Sequence, residues 1–210
     1  MAIIFLFEGT VDEYRFQDHN IEVPRQDCKS CSLQMTFWSG YYRCIRVGSK
    51  DSKLWIKRAF CKSCNKTEAL LPSFILPYRL DEIETVGKVL EDVGQGVSGI
   101  RPAALKVNVP YATARGWVRS FSSHSKELCA SFASLTIELK GPVINYVDSY
   151  RRYALETFKQ AWIQACNLPG WHRINMWHFV SIIIGGKLLA NNIDSPYLKI
   201  GKRSLIFPVP

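Results

Sequence analysis

Cys28-Lys29-Ser30-Cys31 and Cys61-Lys62-Ser63-Cys64 are two Cys-x-x-Cys pairs with 29 residues between them. Two intervening residues let a tight knuckle turn aim both sulfurs at one point, and two facing knuckles complete a tetrahedron of thiolates around one ion. The chemistry this spacing implies is metal binding, with Cys28, Cys31, Cys61 and Cys64 as ligands of one Zn2+. A four-thiolate zinc has no open coordination position, so its expected role is to staple the fold rather than to catalyse.

Other uses of the same thiols stay open: a single iron, redox pairs or disulfides. The gap is similar to that of rubredoxin, but the Pro and Gly that follow rubredoxin's knuckles are missing. Residues 28–80 also carry a net charge of +8, which a small electron carrier does not need. A thioredoxin-like pair belongs beside a βαβ unit, and none is visible. Cys44, Cys129 and Cys166 have no partner spacing and read as buried small hydrophobes.

Two facing knuckles need an element that returns the chain. Thr36 to Phe60 is rich in aromatic and β-branched residues, and Val47 to Ser52 reads as a hairpin loop. The expected strands are 37–47 and 53–60, with a third extended piece at 66–71 and a further strand within Met1 to Phe7. Leu71 to Tyr78 holds two prolines and reads as a linker. The hairpin carries Arg43, Arg46, Lys53, Lys57, Arg58, Lys62 and Lys66 interleaved with Trp38, Tyr41, Tyr42 and Trp55. Such a face suits phosphates and stacked bases, although the aromatics are read first as the core of a small domain.

From Asp81 the period becomes helical, with Ile83, Val86, Val89, Leu90 and Val93 on one stripe. Residues 103–119 carry the second pattern. Ala104 is the small residue needed where two helices cross, and four residues later Asn108 tolerates positive φ in a turn flanked by Val107 and Val109. The next helix buries Ala114, Trp117 and Val118 and leaves Tyr111, Ala112, Thr113, Arg115 and Arg119 outward. This is the layout of a helix-turn-helix, with Lys106, Tyr111, Ala112, Thr113, Arg115 and Arg119 as DNA contacts and Arg115 suited to a guanine. Ser98 is the expected cap of the preceding helix, with Pro102 in its first turn. Gly116 inside the second helix and Pro110 at its start depart from the usual pattern, and a purely structural helical hairpin is the alternative.

Beyond residue 126 the chain reads as helical throughout. Leu128, Phe132 and Leu135 mark a short helix, and Ile144, Val147, Ala154, Leu155, Phe158, Trp162 and Ala165 a longer one that stops at 167–170. A last helix is expected from about Asn175 to Ala190, followed by an irregular tail through Pro196 and Pro208. The fold class is therefore α+β: an N-terminal four-cysteine zinc ribbon of short antiparallel β-hairpins, then a mainly α-helical part containing the helix-turn-helix. Boundaries fall at 1–79 for the ribbon and its N-terminal strand, 80–126 for the helix-turn-helix, and 127–210 for a helical region without an assigned role.

The formal net charge of +9 is unevenly spread. Residues 28–80 and 97–126 hold +8 and +5, while 1–27 and 81–96 are each −4. The two basic segments are the two that carry motifs, which points to a polyanionic partner. The start of the chain lacks the basic region of a signal peptide, and the apolar run 174–192 contains His178 and Lys187, so no membrane partner is expected. A cytoplasmic, nucleoid-associated location follows, where thiols stay reduced.

In order, the features are the cysteine knuckles around an aromatic hairpin, the Thr67 to Arg79 linker, and a helix-turn-helix ending in Arg115-Gly116-Trp117-Val118-Arg119. This combination resembles the small bacterial zinc-ribbon and helix-turn-helix proteins of mobile elements. It is also similar to the amino-terminal zinc-binding and DNA-binding region of some insertion-sequence transposases, over residues 25–125 only. The resemblance implies a transposon-associated helper or transcription regulator. A transposase's catalytic domain would need three acidic residues on a five-stranded sheet. Glu127, Glu138, Asp148, Glu156 and Asp194 in a mostly helical remainder do not supply it.

The leading expectation is thus a sequence-specific protein that binds double-stranded DNA, with a transposase or a second copy of the chain as further partners. The alternative is an adaptor that binds a transposase or polymerase through the ribbon and the aromatic C-terminal helices, which carry Trp162, Trp171, Trp177 and Phe179. No catalytic residues and no small-molecule substrate are expected: His19, His124, His172 and His178 are isolated from the cysteines, and no phosphate loop, carboxylate cluster or nucleophile triad has usable spacing.

Overall fold

A computed structural model describes residues 2–145 and 148–190. The expectations for Val147, Asp194, Pro196 and Pro208 lie outside those residues. Four strands form one sheet: β1 (Ala2–Phe5), β2 (Thr36–Val47), β3 (Lys50–Cys61) and β4 (Lys66–Pro72), in the order β1-β4-β3-β2. β2, β3 and β4 are antiparallel neighbours, and β1 runs parallel to β4. The hairpin turn is shorter than expected. Val47 pairs with Lys50, so Gly48 and Ser49 alone make the turn, and Gly48 at φ 58° supplies the left-handed residue that a two-residue hairpin requires.

One helix was not legible in the pattern. α1 (Val11–Gln17) follows β1 and opens on a capping box, in which the Thr10 hydroxyl accepts from the Glu13 amide and the Glu13 carboxylate accepts from the Thr10 amide. It places Tyr14 in full burial against β3, where its hydroxyl donates to the Trp55 carbonyl at 2.9 Å. Burial pushes the Tyr14 phenol well above its ordinary range.

Among the described residues five more α-helices follow: α2 (Ile83–Gly94), α3 (Ile100–Lys106), α4 (Tyr111–Glu138), α5 (Tyr150–Ala165) and α6 (Met176–Ile183). α4 is a single element of 28 residues. It absorbs both the second helix of the hairpin and the short helix expected around Leu128, so the chain is continuous through 126 and 127, where composition suggested a boundary. Nothing in 120–138 breaks it: there is no Gly or Pro, and Phe121, Leu128, Phe132 and Leu135 keep one buried stripe. α5 starts only at Tyr150, capped by Ser149, so Ile144 precedes it. α6 is capped by Asn175 and gives way to Gly185 and Gly186, both at positive φ, so it ends well before the expected Ala190.

Apolar residues collect in two clusters. The sheet cluster runs from Ile3 to Ile75, and the helical cluster from Leu76 to Leu189. The stretch expected to be a linker is the seam between them: Phe74, Ile75 and Leu76 are each about 1% exposed. Its prolines do forbid a helix, but its apolar side chains are buried as deeply as any strand's. Phe132, Phe158, Phe179 and Trp171 meet ring to ring where α4, α5 and α6 converge. None of the described helices is long and apolar enough to cross a membrane.

Candidate metal centre and cationic surfaces

The first knuckle lies between α1 and β2, and the second caps the hairpin, with Cys61 ending β3 and Cys64 just before β4. In each, the residue after the second cysteine turns the chain through a left-handed conformation: Ser32 at φ 58° and Asn65 at φ 53°. The first knuckle is closed by the Ser32 amide on the Cys28 carbonyl and the Cys28 amide on the Leu33 carbonyl, both at 2.8 Å. The local sequence thus bends each pair inward, and the β2–β3 hairpin brings the pairs face to face.

All four sulfurs lie within 4.8 Å of one another. Across the two knuckles, Cys31 and Cys61 are 3.5 Å apart and Cys28 and Cys64 3.8 Å. A tetrahedron with metal–sulfur bonds of about 2.3 Å has edges of about 3.8 Å, so the donors fit one ion of that kind. They do not form disulfides, whose sulfurs would be about 2.05 Å apart. The Ser30 and Cys31 amides aimed at Cys28 pull its thiol down to about 6. Cys64 is pushed up to about 12 by hydrogen bonding with Cys31, by burial and by the other two sulfurs. A cluster that can hold only part of its thiolate charge unaided is one that a cation completes.

Residues 18–104 match a protein family described as a domain of unknown function (DUF6431). The match takes in both knuckles, the whole hairpin, α2 and most of α3, and stops short of α4. No curated protein and no solved structure is significantly similar to the chain.

The three remaining cysteines divide. Cys129 is buried as expected and Cys166 half-buried, but Cys44 is exposed on β2. The hairpin aromatics also depart from expectation. Trp38 is 69% exposed, and Phe37, Tyr41 and Tyr42 are exposed as well, so most of them are not core. Trp55 is the exception, packed on the sheet cluster under His19, whose ring lies 4.0 Å away. It also explains Gly40: a Cβ there would come 2.3 Å from the Trp55 ring. Of the basic residues, Arg46 is engaged with Asp51 and Asp81, and Arg43 donates to the carbonyls of Leu76 and Arg79.

Between α3 and α4 the chain turns as the spacing implies. Asn108 takes φ 55°, its amide donates to the Leu105 carbonyl, and the Val109 amide donates to the Ala104 carbonyl, closing α3. Ala104, Ala114, Trp117 and Val118 are buried; Tyr111, Ala112, Arg115, Gly116 and Arg119 are exposed, and Thr113 is half-buried. α3 begins after Gly99 rather than on a Ser98 cap, because the Ser98 hydroxyl is turned to the Gly99 carbonyl. Two expected contact residues are already engaged: Lys106 pairs with Asp92 at 3.0 Å, and Tyr111 lies with its ring under Arg101. Arg115 and Arg119 make no ion pair among the described residues.

The C-terminal aromatics are core. Trp171, Trp177 and Phe179 are buried, and half-buried Trp162 donates its indole N–H to the Ile174 carbonyl. His178 lies apart from the cysteines, and its ring meets Ser73 at 3.5 Å and Glu84 at 3.3 Å, tying the seam to α2 and α6. The nearby His178 ring and the hydrogen bond from the Asn175 amide hold the Glu84 carboxyl below its usual value.

Proposed function

We propose that the chain is a zinc-stabilised, sequence-specific DNA-binding protein without a catalytic domain, acting as a regulator or helper of a mobile element. The observation that carries this reading is the start of α4. One side is locked into the core by Ala114, Trp117 and Val118, and the other presents Arg115, Gly116 and Arg119 free of carboxylates. Residues 97–126 contain no acidic side chain at all. A helix so fixed can enter a major groove with its cations at phosphates and base edges. Gly116 is open, since a Cβ there would have nothing within 4 Å, and it would let backbone approach the DNA closely. Zinc is favoured over iron because the cluster lies in a segment of net charge +8, which a small electron carrier does not need, and the Pro and Gly that follow rubredoxin's knuckles are missing.

The test is selection of bound duplexes from a random pool at two salt concentrations. The reading requires an enriched motif, and affinity whose log–log salt slope is near −0.9 per phosphate contacted. The Arg115→Ala/Arg119→Ala variant should show a slope shallower by about 0.9 for each phosphate it no longer neutralises. Unchanged duplex binding by the double variant would refute the assignment of α4. The adaptor alternative is weakened, since the C-terminal aromatics that motivate it are consumed by the core.

A further inference from the structure

A groove of about 650 Å³ opens between one face of the sheet and the Pro77–Leu80 segment. Its floor includes a row of paired residues, Arg58, Ala69 and Ala2, from β3, β4 and β1. Small side chains at Ala69 and Ala2 leave the space, and Arg58 stands in the row. Arg43, Arg79, Tyr41 and Tyr78 line the rest, and no Asp or Glu is among the lining residues.

Three guanidinium groups therefore share one concave surface without a carboxylate. Arg43 donates to the neutral carbonyls of Leu76 and Arg79 and also meets the Tyr41 hydroxyl, and Arg79 donates to the Leu189 carbonyl. The Arg58 guanidinium makes no hydrogen bond or ion pair among the described residues. All three are half-buried. Partly desolvated cations that no protein anion compensates are unfavourable by themselves, and an anion in the groove removes that cost.

The aromatic groups narrow the kind of anion. Phe60 stands two residues beyond Arg58 on β3 and so on the same face, and Trp38 packs on it with ring centres 5.5 Å apart. Tyr41 follows along β2, and Tyr78 at the far end is 90% exposed. Tyr78 holds φ 60°, a conformation unfavourable for a bulky residue, which keeps its ring at the mouth of the groove. Aromatics and arginines thus alternate along one face, where bases can stack while phosphates meet cations.

We propose that this sheet face binds a single nucleic-acid strand, with its phosphates on Arg43, Arg58 and Arg79 and its bases on Tyr41, Tyr78 and Trp38. The site is separate from the duplex surface assigned to α4 and does not depend on it. The Arg79 guanidinium and the Ser120 hydroxyl of α4 donate to the same Leu189 carbonyl, each at 3.0 Å. The groove therefore ends against α4, one residue from Arg119.

The experiment uses the full chain and a fluorescent oligothymidine of about twelve nucleotides, a length within the range one such binding surface covers. Anisotropy is followed across a salt series, with a duplex containing the selected motif in parallel. Tyr41→Leu should weaken oligothymidine binding by roughly 5- to 100-fold, and Tyr41→Phe, which keeps the ring, should restore it. Arg58→Gln should flatten its salt slope by about 0.7. Both should leave duplex binding unchanged, whereas Arg115→Ala/Arg119→Ala should do the reverse. Failure to bind oligothymidine, or equal binding by wild type, Tyr41→Leu and Arg58→Gln, overturns the proposal. So does competition by polyglutamate as effective as by unlabelled oligothymidine at equal charge, which would make the occupant an acidic peptide.

Discussion

Removing the metal is the perturbation whose size the structure lets one work out. An ion held by this cluster would bridge residues 36 apart in sequence, with donors arranged only in the folded chain, so its binding would stabilise the native state by mass action. Above the dissociation constant, each tenfold rise in free zinc adds about 1.4 kcal/mol. For a chain of this size that corresponds to roughly 3–6 °C in melting temperature per decade. The amides aimed at Cys28 lower its thiol, whereas hydrogen bonding and burial within the cluster raise Cys61 and Cys64. Uptake should therefore release at least the protons of those two thiols, and weaken as pH falls. The assay is thermal unfolding in zinc-buffered solutions, with proton release followed by a pH indicator in weak buffer. Cys61→Ser should lose most of the zinc dependence. A melting temperature indifferent to zinc and chelator alike would refute the metal centre. A cobalt-substituted protein with the spectrum of octahedral oxygen ligation would refute the tetrathiolate geometry.

Two glycines in helices should respond in opposite directions. Gly87→Ala would drive a Cβ to 2.3 Å from the Trp177 ring and should destabilise by about 1–3 kcal/mol, read by urea unfolding. Gly116→Ala meets nothing and should stabilise by about 1 kcal/mol, while weakening duplex binding if α4 docks as proposed. Tyr78→Gly should likewise raise the melting temperature, by relieving about 1 kcal/mol of left-handed strain, and lower oligothymidine affinity. Glu84 is held below its usual value, so its contribution is complete above the ordinary carboxylate range and is lost as pH falls through the lower, folded value. Glu84→Gln should therefore be less stable than wild type at pH 7 and converge on it in acid; a gap that persists at low pH would contradict that role for the carboxylate.

What was legible in the sequence was local. Cysteine spacing located the four-cysteine cluster because a knuckle is a property of four consecutive residues. Asn108 marked its turn because few residues take positive φ. The aromatics of β2 misled because composition does not say which face of a strand is covered: α1 packs over one side near Trp55, and nothing among the described residues buries Tyr41 and Trp38. The linker misled for the complementary reason. Two prolines do exclude a helix from 71–78, but whether Phe74, Ile75 and Leu76 are buried depends on helices far along the chain. The Glu84–His178–Ser73 contact joins residues separated by as many as 105 positions, and no spacing rule reaches so far.

The cysteine cluster and the aromatic end of the sheet face are joined along β3, and this gives their assignments a common test. Cys61 directly follows Phe60, and Phe60 carries Trp38 at the knuckle end of the sheet face. Loosening the knuckles should unpin that end of β2 and β3 first. α4 belongs to the helical cluster and rests on α2, α3 and α5, none of which carries a ligand sulfur. Chelation at a temperature below global unfolding should therefore weaken oligothymidine binding several-fold while duplex binding through Arg115 and Arg119 persists. Equal loss of both would mean that the two surfaces fold as one unit. Preservation of both would mean that the ion supports neither, leaving the sheet pairing to β4 and β1 enough to hold the hairpin.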